Sequence, residues 1–207
     1  MEILRTVLYA FYIIIHPFDG FWELKHHKKN TMQASFILLA ILSFIAVVKV
    51  QWTNFMFNFF RPERMSVVIQ VLSIILPICI WVVINWSITT LMDGKGKMNH
   101  IWVTTIYSFF PIMVFALPQI LLSHIITLEE GVFYYFFDTV GILWSVGLLL
   151  IGMMSIHDYT MSKSVGVSIL TILSILGALF LCMVFFSAVQ QIVRFFVTLY
   201  VELKFRV

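Results

Sequence analysis

Five long apolar runs, separated by short polar segments, dominate the pattern of this 207-residue chain. At a rise of about 1.5 Å per residue, about 20 apolar residues are needed to cross the hydrocarbon core of a bilayer. The pattern therefore predicts an all-α polytopic membrane protein whose five transmembrane helices form a membrane domain over residues 32–190. The runs cover approximately residues 32–50, 66–91, 100–125, 133–156 and 165–188.

The two ends of the chain are also apolar but differ from the five runs. Residues 2–15 are too few to span, and a His-Pro step ends this stretch because proline disfavours helix at the residue before it. Tryptophan and lysine follow, so residues 1–31 are predicted to be a cytoplasmic segment lying in the membrane interface. A re-entrant hairpin is the alternative. Residues 191–207 mix charges with aromatics and valines, which predicts an amphipathic C-terminal tail.

A polar turn of sequence DGKGK separates the second run from the third. Its residues, Asp93 to Lys97, are too polar to lie in hydrocarbon, so the turn marks a membrane surface. Gly94 and Gly96 permit the tight reversal that a hairpin between two spanning helices needs. The runs on either side are therefore predicted to be antiparallel neighbours.

Composition agrees with this class and excludes others. Of the residues, 61% are hydrophobic and 11% charged, compared with about 25% charged in an ordinary soluble domain. The formal net charge of +3 is too small to indicate nucleic-acid binding and instead predicts contact between positive side chains and membrane lipids. Cys79 and Cys182 both fall in apolar runs, which argues against a disulfide framework and a zinc site.

The distribution of positive residues predicts a cytoplasmic N-terminus in the cell membrane. Lys25, Lys28 and Lys29 lie just before the first run, and the loop between the third and fourth runs has no Lys or Arg. Positive residues are enriched in cytoplasmic loops. The loop with Arg61 and Arg64 argues for the opposite orientation, but the two short segments are given more weight.

With this orientation, three polar segments share the cytoplasmic rim: residues 23–29, 93–100 and 157–163. Lysines and the N–H groups of a glycine-rich turn suit a lipid headgroup or a docked protein. A metal site is the alternative, but no pair of residues has the spacing that places two ligands on one helix face. Neither a metal nor a cofactor is predicted. The candidate residues for partner or lipid-headgroup binding are Lys25, Lys28, Lys29, Asp93, Gly94, Lys95, Gly96, Lys97, His157 and Lys163.

The runs have no Asp, Glu, Lys or Arg near their midpoints, which argues against an ion-coupled transporter. Small residues four positions apart, such as Gly141 and Ser145 or Ser174 and Ala178, predict close helix packing. Pro111 and Pro118 predict kinks that face protein neighbours or water, because an orphan carbonyl facing lipid is costly. The candidate packing or kink residues are Pro77, Asn85, Tyr107, Pro111, Pro118, Gly141, Trp144, Ser145 and Gly152.

Three segments carry a resemblance to a known family. They are the segment from Pro17 to Lys25, the DGKGK turn followed by Tyr107 and Pro111, and the run from Trp144 to Lys163. Over approximately residues 15–190 the chain resembles the bacterial branch of the Ypt-interacting-protein (YIP) domain family. The resemblance implies five spans with a cytoplasmic N-terminus. Eukaryotic relatives are associated with small GTPases and vesicle traffic, and some bacterial relatives accompany carbohydrate ABC importers.

Two functional hypotheses follow, and neither is enzymatic. The chain has no Gly-x-Ser-x-Gly, phosphate-loop, His-Glu-x-x-His or paired-carboxylate pattern. The first hypothesis is an accessory protein that associates with another integral membrane protein, namely the permease of a carbohydrate ABC importer. The alternative is a channel, lipid scramblase or small-solute transporter, whose path is predicted to be lined by Gln70, Asn85, Ser108 and Gln119.

Overall fold

The protein is described by a computed structural model over residues 2–26, 31–58 and 66–205, with no side-chain description for residues 2, 3 and 203. All regular structure in these ranges is helical, which confirms the predicted fold class. A short 3₁₀ turn, Leu128–Glu130, precedes α7. The α-helices are α1 (Glu2–Ile15), α2 (Pro17–His26), α3 (Thr31–Trp52), α4 (Val67–Leu91), α5 (Met98–Ser108), α6 (Phe110–Ser123), α7 (Gly131–His157) and α8 (Met161–Phe205).

Five helical segments of the described chain are long and apolar enough to cross a membrane, as predicted. The first four agree with the predicted runs to within a few residues. The fifth differs, because α8 continues for 45 residues without a glycine or proline beyond Gly177 to end it. The five segments are Thr31–Trp52, Val67–Leu91, Met98–Ser123, Leu128–His157 and Met161–Glu202.

The third of these segments is interrupted at Phe109, which separates α5 from α6. Pro111 lies in the first turn of α6. Proline has no N–H group and its ring crowds the carbonyl four residues earlier, so an α-helical ladder does not continue through this point. Pro77 and Pro118 lie inside α4 and α6 without such a break.

The N-terminal helices form a hairpin that packs against the spanning helices. The Tyr9 hydroxyl donates to Oε2 of Glu23 at 2.7 Å, which joins α1 to α2. The Phe11 ring lies edge-on to Phe110 with centroids 4.8 Å apart, beside the middle of the third candidate span. These contacts are those expected of the re-entrant alternative, and the position of residues 1–31 relative to the membrane stays a prediction.

The core forms where the helices from α1 to α7 meet, and each of them contributes buried side chains to it. Gly152 brings α7 close to this centre, because a β-carbon there would collide with Cγ2 of Thr104 and lie 3.2 Å from the ring of Phe21. Helix α8 is different. From residue 176 to residue 205, every described side chain on it is exposed.

Candidate functional site

The candidate site lies at the end of the molecule that carries the DGKGK turn. Here the turn between α4 and α5 meets the last residues of α2 and the C-terminal end of α7. We call Lys25, Lys95, Gly96, His157 and Asp158 the rim cluster. Its members come from three separate segments of the chain, which the structure brings together at one end of the molecule.

Asp158 is the charged centre of the rim cluster. Its backbone is left-handed, with φ of 55°, where it terminates α7. Its carboxylate lies 3.2 Å from Nζ of Lys95 and 3.2 Å from Nζ of Lys25. The hydrogen bond from Lys95 and the nearby charge of Lys25 hold the pKa of this carboxyl below its usual range. The carboxylate is therefore ionised at neutral pH and joins two lysines that would otherwise repel each other.

His157 is the buried member of the rim cluster. Its Nδ1 accepts a hydrogen bond from the N–H of Gly96 at 3.2 Å. A nitrogen that accepts carries no proton, so this bond requires the neutral tautomer protonated at Nε2. The Nε2 atom is buried and has no hydrogen-bond partner among the described residues.

The two glycines of the turn lie so close to this histidine that there is no room for a side chain at either position. A β-carbon at Gly94 would lie 2.5 Å from Nδ1 of His157, and one at Gly96 would lie 2.7 Å from Cε1. Neither glycine has a positive φ, and the left-handed residue of the turn is Asp93, with φ of 57°. Gly94 also permits the backbone reversal, because its N–H donates to the Thr89 carbonyl at 2.8 Å and a β-carbon there would lie 2.8 Å from the same oxygen. The glycines therefore serve the turn, as expected, and in addition leave room for an imidazole.

Tyr159 extends the contact between the turn and the end of α7. Its hydroxyl donates to the carbonyl of Met92 at 3.0 Å, and its ring stacks on His157 with centroids 5.2 Å apart. Burial raises the pKa of the Tyr159 hydroxyl. The Nζ atom of Lys163 lies 4.3 Å from the centre of this ring, within the range of a cation–π contact.

The remaining rim candidates have different positions. Asp93 and Lys97 are exposed on the turn, and Lys28 and Lys29 lie outside the described residues. Sequence reasoning included Asp158 in the rim but omitted Asp158 and Tyr159 from the candidate binding residues. In the sequence, the only sign of their role is that a charged and an aromatic residue directly follow a long apolar helix. This pattern is too common to indicate a binding site.

The rim cluster carries more positive than negative charge. Among the described residues, no three His, Cys, Asp or Glu side chains are grouped so that they could hold a metal ion. The cluster instead presents two lysines bridged by one carboxylate, and Lys163 adds a third cation nearby. The surplus positive charge suits an anionic headgroup or an acidic segment of a partner.

Packing candidates within the spans are found in several different contacts. The Tyr107 hydroxyl donates to the Thr6 carbonyl at 2.8 Å. A β-carbon at Gly141 would meet the side chain of Phe115 at 3.4 Å. Ser145 is buried, whereas Trp144 is half exposed on the outer face of α7.

The four polar residues predicted to line a path are all buried, and three of them bond within the helical bundle. Asn85 donates to the Thr171 hydroxyl on α8 at 3.1 Å. Gln119 donates to the carbonyl of Tyr134 at 3.3 Å, joining α6 to α7. Ser108 donates to a carbonyl one turn earlier in its own helix. The Oε1 atom of Gln70 has no partner among the described residues.

The five long apolar helices define a multi-pass membrane protein. The chain matches the Yip1 domain family over residues 11–186, which is most of its length, and it therefore belongs to that family. The match includes all three segments of the rim cluster and ends within α8. Comparisons with curated proteins and with solved structures gave no match.

Proposed function

We propose that this Yip1-family protein is a non-catalytic membrane adaptor that binds another integral membrane protein through α8. The observation that carries the proposal is the exposure of α8, which contacts the rest of the chain mainly through its first turns. These first turns pack on α4 through Val167 and Thr171 and on α7 through Ser164, whose hydroxyl donates to the Leu150 carbonyl at 3.0 Å. Beyond residue 175 the helix has no buried side chain in the described chain.

Two glycines on α8 favour a protein partner over lipid alone. Nothing lies within 4 Å of a β-carbon placed at Gly166 or Gly177. They are about three helical turns apart, so they share one side of α8, and that side points away from Thr171. A glycine in a helix costs about 1 kcal/mol relative to alanine. Small residues in membrane helices allow another helix to approach closely, which offsets this cost.

The length of α8 indicates that the contact extends beyond the bilayer. A helix of 45 residues is about 67 Å long, whereas the hydrocarbon core is about 30 Å thick. More than a third of α8 therefore stands outside hydrocarbon if the helix is straight. Phe195, Phe196 and Tyr200 in that part are exposed, and a partner with mass outside the membrane would cover them.

The partner that we propose is a permease subunit of a carbohydrate ABC importer in the cell membrane, as the family resemblance implies. We place the rim cluster and the N-terminus on the cytoplasmic side, because Lys25 and its neighbours make that end strongly positive. In this arrangement α8 binds the permease, and the rim cluster contacts anionic lipid headgroups or acidic loops of the partner.

Co-reconstitution of the chain with such a permease in lipid nanodiscs tests this function. We expect the two proteins to co-elute, and we expect Gly177→Leu and Gly166→Leu to weaken the complex without lowering the thermal stability of the chain. Gly147→Leu is the matched control, because that glycine is equally open but lies on α7. A chain that elutes alone, or a complex lost only with Gly147→Leu, would overturn the proposal.

A further inference from the structure

A cavity of about 320 Å³ opens at the end of the molecule opposite the rim cluster, between the last turns of α3 and the first turns of α7. Lys49 and Asp138 lie in its wall together with Phe57, Tyr134 and Tyr135. The volume suits a small polar group, and the wall combines one ion pair with three aromatic rings. None of these residues takes part in the contacts of α8 or of the rim cluster.

The ion pair is the first observation that points to a ligand. Nζ of Lys49 lies 2.6 Å from Oδ1 of Asp138, and the two side chains are 25% and 41% exposed. Both residues belong to candidate membrane spans. An ionisable residue within a membrane helix is costly, which makes it a candidate functional site.

The ion pair of Lys49 and Asp138 can still bind both a cationic and an anionic group of a ligand. Oδ2 of Asp138 has no partner among the described residues, so it can accept a hydrogen bond from a cation. The ammonium of Lys49 has three N–H donors, of which one is directed to Asp138. A ligand with an ammonium and a phosphate could therefore bridge the two side chains without separating them.

The aromatic rings favour the ammonium half of such a ligand. The ring of Tyr134 stacks on Phe57 with centroids 4.9 Å apart, and Tyr135 lies edge-on to Tyr134 at 5.4 Å. Aromatic faces attract ammonium groups. The cavity also lies near the ends of two spans, at the level where lipid headgroups meet the hydrocarbon.

We propose that this cavity binds the headgroup of a zwitterionic phospholipid with a primary ammonium, namely phosphatidylethanolamine. The ammonium donates to Oδ2 of Asp138, and the phosphate accepts from Nζ of Lys49. A purely anionic headgroup is disfavoured because it leaves the carboxylate of Asp138 beside another negative charge. A choline headgroup has no N–H to donate to that carboxylate.

Native mass spectrometry of the full chain with added phosphatidylethanolamine, phosphatidylcholine or phosphatidylglycerol tests the proposal. We expect phosphatidylethanolamine to bind at least about tenfold more tightly than the other two lipids, which is the effect of one charge-assisted hydrogen bond. Equal binding of the three lipids would overturn it. Soluble glycerophosphoethanolamine is a further arm, and binding as tight as that of the lipid would overturn the assignment to a membrane lipid.

Variants test whether the preference for phosphatidylethanolamine arises from binding in this cavity. We expect Asp138→Asn to lose the preference for phosphatidylethanolamine over phosphatidylglycerol and Lys49→Gln to weaken both. The double variant Lys49→Met/Asp138→Leu keeps the site filled without a lone charge, so it retains the fold and loses the preference. Glu129→Gln removes an exposed carboxylate from the 3₁₀ turn before α7, at the same end of the molecule but outside the cavity wall, and is expected to leave the preference unchanged. A preference that survives in the double variant would disprove the site.

Discussion

The imidazole of His157 occupies the space that a side chain at Gly96 would need. A β-carbon on Gly96 would lie 2.7 Å from Cε1 of the ring, and the N–H of the same residue donates to Nδ1 at 3.2 Å. Residues that are far apart in the chain therefore fit each other in both shape and hydrogen bonding. This contact fixes the turn between α4 and α5 on the end of α7, and it determines where Lys95 stands relative to Asp158.

Gly96→Ala is expected to lower the stability of the protein by about 1–3 kcal/mol, because the added methyl group displaces a buried ring from a packed position. The displacement also breaks the hydrogen bond to Nδ1. The double variant Gly96→Ala/His157→Ala should lose less than the sum of the two single losses, since the ring that clashes is gone. Thermal unfolding in detergent or nanodiscs measures all three variants.

Gly166→Ala is the matched control for this substitution. The glycine is helical and its β-carbon position is open, so alanine is expected to be neutral or to stabilise by up to about 1 kcal/mol. Equal stability of the Gly96→Ala and Gly166→Ala proteins would contradict the fit between Gly96 and His157.

The rim cluster gives stability a dependence on pH through Asp158. Lys95 and Lys25 depress the folded-state pKa of this carboxyl, so its contribution is present above the unfolded value of about 3.9 and is lost as pH falls through the folded value. Asp158→Asn keeps a residue that tolerates the left-handed backbone and removes the charge. We expect it to lose about 1 kcal/mol at pH 7. The pair with Lys95 is largely exposed, at 71% and 49%, so most of this loss comes from the pair with Lys25, whose side chain is 12% exposed.

The difference between Asp158→Asn and the parent protein should therefore shrink as pH falls below about 4 and as salt concentration rises. Unfolding measured from pH 7 to pH 3 tests this course. Asp93→Asn is the control, because Asp93 shares the left-handed backbone but its carboxylate contacts no lysine among the described residues. A loss that is constant across this range would exclude the ion pairs as its cause.

The spans could be predicted because a long apolar run is recognisable from its own residues, without knowledge of its neighbours. Polar turns mark the ends of most runs. The fifth run was predicted to end near residue 188, whereas α8 continues to Phe205. Residues 188–205 mix polar and apolar types and contain no glycine or proline to stop a helix. A helix continues as long as no residue stops it. Composition alone therefore does not show where the membrane-spanning part of this helix ends and its tail begins.

The sequence indicated which residues lie at the same membrane surface as the rim cluster, but it did not indicate the contacts between their side chains. Turn position and charge placed Lys95 and His157 at one surface, but the fit of the imidazole on Gly94 and Gly96 depends on how α7 packs against α5. The pair of Lys49 and Asp138 was missed as a pair for the same reason. These residues lie in different runs, and no local pattern indicates which helices are neighbours.

Close approach of α5 and α7 depends on Gly152 and Thr104. Gly152→Ala is expected to destabilise the protein by about 1–3 kcal/mol, because its β-carbon would collide with Cγ2 of Thr104. Thr104→Ser removes that methyl group and keeps a hydroxyl. The double variant should therefore recover much of the stability in thermal unfolding. A double variant that is as unstable as Gly152→Ala would show that another contact, such as that with Phe21, limits the approach.

The N-terminal hairpin is held to the bundle by the bond from the Tyr107 hydroxyl to the carbonyl of Thr6, which is 2.8 Å long and buried. Tyr107→Phe keeps the ring and removes the donor. We expect a loss of about 1 kcal/mol that is felt mainly in α1, because the bond joins α1 to α5 and does not involve α4. Amide hydrogen exchange should therefore become faster in residues 4–15 and stay unchanged in α4. Tyr200→Phe, on the exposed part of α8, is the control and should change neither the stability nor the exchange of α1. If exchange of α1 is unchanged in Tyr107→Phe, apolar contacts such as that of Phe11 with Phe110 hold the hairpin without this bond.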